Sequence, residues 1–171
     1  LIIPLNINHI IEPFCGNGDL LDFINHFNKI NNTVIKNKIQ IDCYDIEPKK
    51  EFIIKKDTIQ EPPNYNNTFI ITNPPYLARN KSKNKELFDK YDVNDLYKCF
   101  IKEIMNNVCL GGILIIPLNF WSSIRQSDIE LRKTFLEKYK IILLNIFEEQ
   151  VFNDTTYTIC SFQFELKSKH E

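Results

Sequence analysis

Apolar positions recur along this chain with two periods. Short runs rich in Ile, Phe and Val are bounded by Pro, Gly, Asn or Asp and read as strands. Longer segments between them carry apolar residues three and four apart and read as helices. His9-Ile10-Ile11-Glu12-Pro13 predicts the first strand. Leu20, Phe23, Ile24 and Phe27 then predict a helix opening just after Gly18, and Asn31-Asn32 close that region in a polar turn. Lys38 to Tyr44 alternates and predicts a second strand; Phe52-Ile53-Ile54 predicts a short third and Thr68 to Thr72 a buried fourth. The composition of Glu61 to Asn67 predicts a loop.

Beyond the fourth strand, Arg79 to Lys90 is polar and basic and reads as a solvated loop. Tyr97, Phe100, Ile101, Ile104, Met105 and Val108 mark a helix with one wide apolar face. Gly111-Gly112 closes it and opens Ile113 to Ile116, a fully buried strand. Ser127-Asp128-Ile129-Glu130 has the form of a capping box, for a helix running to about Tyr139. Ile141 to Phe147 and Thr155 to Glu165 are two further strands that form a late hairpin. The alternation predicts an α/β fold: a mostly parallel seven-stranded sheet with an antiparallel last strand and helices on both faces.

Composition adds bounds. The 171 residues suit one domain, and 43% hydrophobic residues suit an ordinary globular core. No apolar run reaches the length of a membrane span, and the start lacks a signal-peptide pattern. An intracellular, cytoplasmic protein that is neither secreted nor held in a membrane is expected. The five cysteines, Cys15, Cys43, Cys99, Cys109 and Cys160, are odd in number and form no C-x-x-C pair. They read as reduced core residues, and no metal is expected. Net charge is −1, so bulk electrostatics does not announce nucleic-acid binding. Arg79 to Lys90 offers a local track of cations that could touch a phosphate backbone.

Two loops carry candidate chemistry. The chain has four glycines, and two of them lie in Glu12-Pro13-Phe14-Cys15-Gly16-Asn17-Gly18. A chain so sparing of glycine places it where the backbone bends tightly or meets a ligand closely. Strand, glycine loop and helix form a nucleotide-type arrangement, but the third glycine of a phosphate-binding fingerprint is missing, so a ligand without phosphates fits better. At the tip of the second strand the carboxylate of either Asp45 or Glu47 could take ribose hydroxyls, Asp45 being nearer the strand end and Ile46 lying between them; Asp57 could accept from an adenine amino group.

The second loop is Asn73-Pro74-Pro75-Tyr76, straight after the fourth strand. Two prolines end a strand and stiffen the loop beyond it. The corner presents an amide side chain, a backbone carbonyl and an aromatic ring. Two acceptors can take the two N–H bonds of an exocyclic amino group and localise its lone pair, while a ring stacks on the plane that carries it. The lone tryptophan, Trp121, comes after the fifth strand and is read either as a pocket wall or as packing.

Taken together, the loops resemble those of the S-adenosylmethionine-dependent amino-methyltransferases, and most closely the γ-class DNA adenine-N6 methyltransferases. The resemblance covers nearly the whole chain and implies the Rossmann-like class I methyltransferase fold. It implies S-adenosyl-L-methionine as cofactor, held by Glu12, Pro13, Phe14, Cys15, Gly16, Gly18, Asp45, Ile46, Asp57 and Asn73. It implies Asn73, Pro74, Pro75 and Tyr76 as the catalytic corner, with Phe152, in Val151-Phe152-Asn153-Asp154, stacking on the other face of a flipped base. The implied activity is methyl transfer to adenine N6 in DNA, a site-specific DNA methylation. RNA adenine, a protein glutamine amide and a non-catalytic binding module are the alternatives.

The family usually carries a further cofactor segment upstream and a target-recognition domain. Residues 1–171, which begin at Leu1, are expected to be a single catalytic domain without them. A partner chain or domain would then supply target recognition.

Overall fold

The computed structural model describes residues 3–4, 7–22, 24, 39–152 and 156–168. Phe23, Phe27, the Asn31-Asn32 turn, Lys38, Asn153 and Asp154 lie outside them. Seven strands form one sheet: β1 (His9–Glu12), β2 (Gln40–Asp45), β3 (Ile54–Lys55), β4 (Phe69–Thr72), β5 (Gly111–Pro117), β6 (Tyr139–Ile146) and β7 (Ile159–Leu166). Their order is β3-β2-β1-β4-β5-β7-β6. β1 pairs in parallel with β2 and β4, β2 with β3, and β4 with β5. Only β7 runs against its neighbours, β5 and β6. The expected mostly parallel sheet with an antiparallel last strand is present.

Side-chain alternation divides the core into two layers. On one face Ile11, Ile70, Leu114, Ile116, Phe162 and Phe164 pack against α3 (Leu96–Asn106) and α5 (Gln126–Lys138). On the other, Ile10, Phe69, Ile71 and Ile113 meet Leu21 and Ile24 of α1, whose described helical residues are 19–22 and 24. Helices therefore cover both faces, as the two periods predicted. The five cysteines are buried and free. Trp121 belongs to the short helix α4 (Asn119–Ser122) and packs edge-on against Phe120 (4.8 Å) and Phe162 (5.0 Å), so of its two readings the packing one holds.

Three local expectations are corrected. The third strand is shifted and shorter: it is Ile54–Lys55, Phe52 is exposed, and Ile53 closes a turn onto the Lys50 carbonyl (3.1 Å) while its side chain is buried. Arg79 to Lys90 is not one loop but a 3₁₀ turn, Arg79–Lys81, followed by α2 (Glu86–Tyr91), which buries Phe88 and Tyr91. The capping box does not form, because α5 starts one residue earlier than Ser127, with Arg125 as its N-cap. Asp128 accepts instead from Lys98 Nζ (2.7 Å) and Ser123 Oγ (2.7 Å), a buried ion pair that ties α5 to α3.

Candidate active site

The sheet order reverses between β1 and β4, and both strands run the same way. Their carboxyl ends meet at one rim, the place where open α/β sheets bind ligands. The glycine loop leaves β1 there and Asn73 leaves β4. The two sequence-predicted loops are thus neighbours.

On the β4 side, Asn73 to Tyr76 line an open cavity of about 520 Å³, with Lys81, Phe152 and Tyr157 also on its wall. The chain after the corner is fastened to the start of α3. Leu77 N donates to Asp95 Oδ1 (3.2 Å), Leu96 N to Leu77 O (3.0 Å) and Arg79 N to Asn94 O (2.9 Å). Asp95 occupies the N-cap position of α3 but makes no side-chain cap there; its carboxylate holds the chain just after Tyr76 instead. Burial pushes the Asp95 carboxyl above the usual carboxylate range.

Tyr76 lies at the centre of this side. Its hydroxyl reaches both the Asn73 side-chain amide and the Ile115 carbonyl oxygen (2.7 Å). Its ring meets Tyr97 edge-on at 6.1 Å and 87°. Tyr97 is fully buried and anchored by a hydrogen bond from its hydroxyl to Asn119 Oδ1 (2.7 Å). Burial pushes the Tyr76 hydroxyl above its ordinary pKa, so it keeps its proton at neutral pH. Phe152 faces Tyr76 at 6.3 Å with 61° between the rings. Two parallel rings that sandwich a base stand roughly 7 Å apart, two contact distances of about 3.5 Å. Phe152 stands close to that separation from Tyr76, with its ring tilted well away from parallel.

On the β1 side the loop is tied to the tip of β2. Cys15 N donates to Tyr44 O (2.8 Å) and Gly16 N to Asp45 Oδ2 (2.7 Å), while Asp45 Oδ1 accepts from Glu47 N (2.8 Å). Gly16 and Gly18 have φ of 54° and 84°, in the left-handed region that favours glycine. A Cβ at Gly16 would meet nothing within 4 Å, so the space above this loop is open to a ligand. Gly18 N closes the turn on Cys15 O (2.8 Å), and α1 starts from the Gly18 carbonyl.

Glu12 ends β1 beneath this loop. It is buried, and neither carboxylate oxygen has a hydrogen-bond partner among the described residues by distance and angle. Burial drives its pKa well above the usual range; the nearby Cys15 and Asp45 add to that, and the Thr72 hydroxyl alongside offsets a part. The Thr72 hydroxyl is buried beside it. Pro13 is buried, and its carbonyl accepts from Thr58 Oγ1 (2.9 Å). Phe14 is half-buried and packs edge-on against Phe100 of α3 at 5.0 Å. Ile46 is 59% exposed at the tip of β2, an apolar side chain free to cover a ring. Asp57 is turned into its own chain: Oδ1 accepts from Ile59 N and Gln60 N (both 3.1 Å), and Oδ2 from Gln60 Nε2 (3.0 Å).

The residues at this rim to which sequence reasoning assigned no site role are Asp95, Tyr97 and Tyr157, whereas Lys81, on the cavity wall, belongs to the basic track expected from Arg79 to Lys90. Tyr97 carried a signal only as part of an apolar helix stripe, and Asp95 carried none. Among the described residues no cluster of three or more His, Cys, Asp or Glu could hold a metal ion. Nor is any of their helices long and apolar enough to cross a membrane.

A seven-stranded sheet with this order, a glycine loop after β1 and a proline-locked amide after β4 define the class I methyltransferase architecture. Residues 14–152 match the model of the Eco57I restriction-modification methylase family, and the chain belongs to that family. No curated protein sequence matches it at a significant level.

Solved structures superpose on most of the chain. A putative class I S-adenosylmethionine-dependent methyltransferase from Listeria monocytogenes does so with TM-score 0.67 and 14% identity, over 95% of this chain and 55% of its own. The type IIG restriction endonuclease BpuSI gives 0.68 and 16%, over 97% of this chain and 23% of its own. The EcoKI M protein of a type I restriction enzyme gives 0.67 and 12%, over 96% and 41%. The chain thus spans about half or less of the length of these proteins.

Proposed function

We propose that this chain is the catalytic domain of an S-adenosylmethionine-dependent DNA methyltransferase acting on the N6 amino group of adenine. The observation that carries the reading is the aromatic-walled cavity at the reversal point of the sheet, with Asn73 and Tyr76 on its wall and the glycine loop of β1 beside it. The β1 side fits the cofactor: an open space above Gly16, a buried unpaired carboxylate at Glu12 to meet a cationic group, and an exposed apolar Ile46 to cover an adenine ring. When bound, S-adenosylmethionine supplies a methyl group on a positively charged sulfur.

The chain's own residues do the rest. The target adenine leaves the duplex and enters the cavity, where Tyr76 and Phe152 hold its two faces. Asn73 Oδ1 and the Pro74 carbonyl accept the two N–H bonds of the amino group, which localises the nitrogen lone pair. Fixing that geometry removes much of the entropic barrier. Positive charge develops at the nitrogen, and the carbonyl dipoles and the Tyr76 ring stabilise it. The methylated amine is acidic enough to lose its proton to water; among the described residues the cavity wall carries no carboxylate and no histidine. Lys81 on the wall and the lysines of α2 and its approach supply contacts to the phosphate backbone, and a partner chain or domain supplies target recognition.

The test is transfer of labelled methyl groups to unmethylated DNA, RNA and protein in parallel, with calorimetry for cofactor binding. The expected result is labelled N6-methyladenine in DNA, with Asn73→Ala lowering kcat at least ~10²-fold while cofactor binding survives. Label in RNA or in a glutamine amide instead, or equal loss of cofactor binding in Asn73→Ala, overturns the assignment. Cofactor binding without transfer to any substrate makes the chain a binding module.

A further inference from the structure

We propose that the Tyr76 hydroxyl, anchored on the Ile115 carbonyl, sets which end of the Asn73 amide faces the cavity. This rests on reading Asn73 as the acceptor for the substrate amino group, and it gives the Tyr76 hydroxyl a positioning role separate from the stacking role of the ring.

A single proton has two claimants. The Tyr76 hydroxyl has one proton and lone pairs to accept with. Two groups lie within reach of its oxygen, the Asn73 amide through Oδ1 and the Ile115 carbonyl oxygen at 2.7 Å. Both are acceptors as they stand, and one proton cannot serve both. A backbone carbonyl can only accept, whereas a side-chain amide can turn about its last bond and exchange oxygen for nitrogen.

The Ile115 carbonyl also has the stronger need of the proton. The last pair between β4 and β5 is Thr72 with Leu114, so Ile115 lies one residue beyond the end of β4. There the Tyr76 hydroxyl takes the place of the missing strand as donor. Burial keeps that proton on the hydroxyl at any ordinary pH.

Every group is satisfied in one arrangement: Tyr76 donates to Ile115 O, Asn73 Nδ2 donates to Tyr76 Oη, and Asn73 Oδ1 turns to the cavity. That is the acceptor the reaction needs. The ring cannot drift from this position, because Tyr97 closes one edge and is itself tied to Asn119. A carboxylate at position 73 could not complete the arrangement, since it has no proton to give.

Tyr76→Phe isolates the hydroxyl and keeps the ring. Two readouts on the full chain test the idea. In nitrogen-15-labelled protein, the Asn73 side-chain NH₂ pair, assigned by its loss in Asn73→Asp, is expected to show one proton shifted downfield by its hydrogen bond. That shift is expected to vanish in Tyr76→Phe. A wild-type pair with no shifted proton, or a shift that persists in Tyr76→Phe, overturns the proposal without any activity measurement.

In the methylation assay, Tyr76→Phe is expected to lower kcat about tenfold or more, with KM for DNA and cofactor affinity unchanged within about twofold. An unchanged kcat in Tyr76→Phe, or loss of kcat and DNA affinity together, overturns the proposal while the methyltransferase reading stands. Wild-type protein that methylates no substrate overturns that reading instead, and the amide signal still decides what the hydroxyl does.

Discussion

Replacing Glu12 by glutamine changes one proton-binding group at the end of β1 and almost no volume. Glu12 is 1% exposed, both its oxygens are buried without a hydrogen bond among the described residues, and the carboxylate of Asp45 nearby opposes its charge. A buried polar group without a partner costs about 1–3 kcal/mol, and a charged one more. Proton binding sets the sign. The folded-state pKa is raised above the unfolded value, so the folded chain holds this proton to a higher pH than the unfolded chain does. Stability from this site is therefore full in acid and falls as pH rises from about 4.3 towards the folded pKa, at about 1.4 kcal/mol per unit of separation.

Glutamine does not titrate, so Glu12→Gln should match the wild type near pH 4 and become the more stable of the two as pH rises. For a chain of this length about 2–4 °C of Tm accompanies each kcal/mol, so a gain of roughly 2–12 °C at pH 8 is expected in the ligand-free protein. Calorimetric scans of both proteins at pH 4.5, 6 and 8 measure it.

The same substitution should weaken S-adenosylmethionine about tenfold or more, because a charge-assisted bond to a cationic group is lost. More stable and worse at binding is the combination to look for. If the two proteins melt together at every pH, the carboxylate has a partner, and the account of a site held ready for a cation is wrong.

Other perturbations test the frame around the site. At Gly112 an added Cβ would run into the Ile70 carbonyl oxygen and come within 3.0 Å of the Phe164 ring, so Gly112→Ala should force β4 from β5. A loss of at least about 1–3 kcal/mol in urea unfolding is expected, and an unchanged midpoint would contradict the packing. Lys98→Met leaves Asp128 buried without its 2.7 Å partner and should cost about 3–5 kcal/mol by the same measurement, whereas Lys98→Met with Asp128→Leu should recover most of it. Lys81→Ala should lower the slope of log affinity for DNA against log salt by about 1 and leave cofactor binding unchanged; an unaltered slope removes Lys81 from the DNA track.

The parts of this molecule that were legible in the sequence are those where one local pattern had no competitor. The buried runs Phe69-Ile70-Ile71 and Ile113 to Ile116 could only be central strands, and two prolines after Thr72 could only be a corner at a strand end. The reversal of strand order between β1 and β4 then brought the two loops to one rim.

Elsewhere a side chain had two possible partners, and tertiary structure chose between them. The Asp45 carboxylate, expected to await a ribose, already holds Gly16 N and Glu47 N and so fixes the glycine loop before any ligand arrives. Its remaining lone pairs are what a ribose would meet. Asp57 is drawn into its own turn, as short acids often are. Arg125 rather than Ser127 stands at the N-cap of α5, and Asp128 within the expected box belongs to an ion pair thirty residues back in the chain. Asp95 stands at a helix start, where local rules would have it cap, yet its carboxylate holds the amide of Leu77, next to Tyr76. Local patterns place backbone. The choice a polar side chain makes between a local amide and a distant one is settled only when the sheet has closed, and at this rim those choices decide which oxygen of Asn73, Asp45 or Glu12 is left to face a ligand.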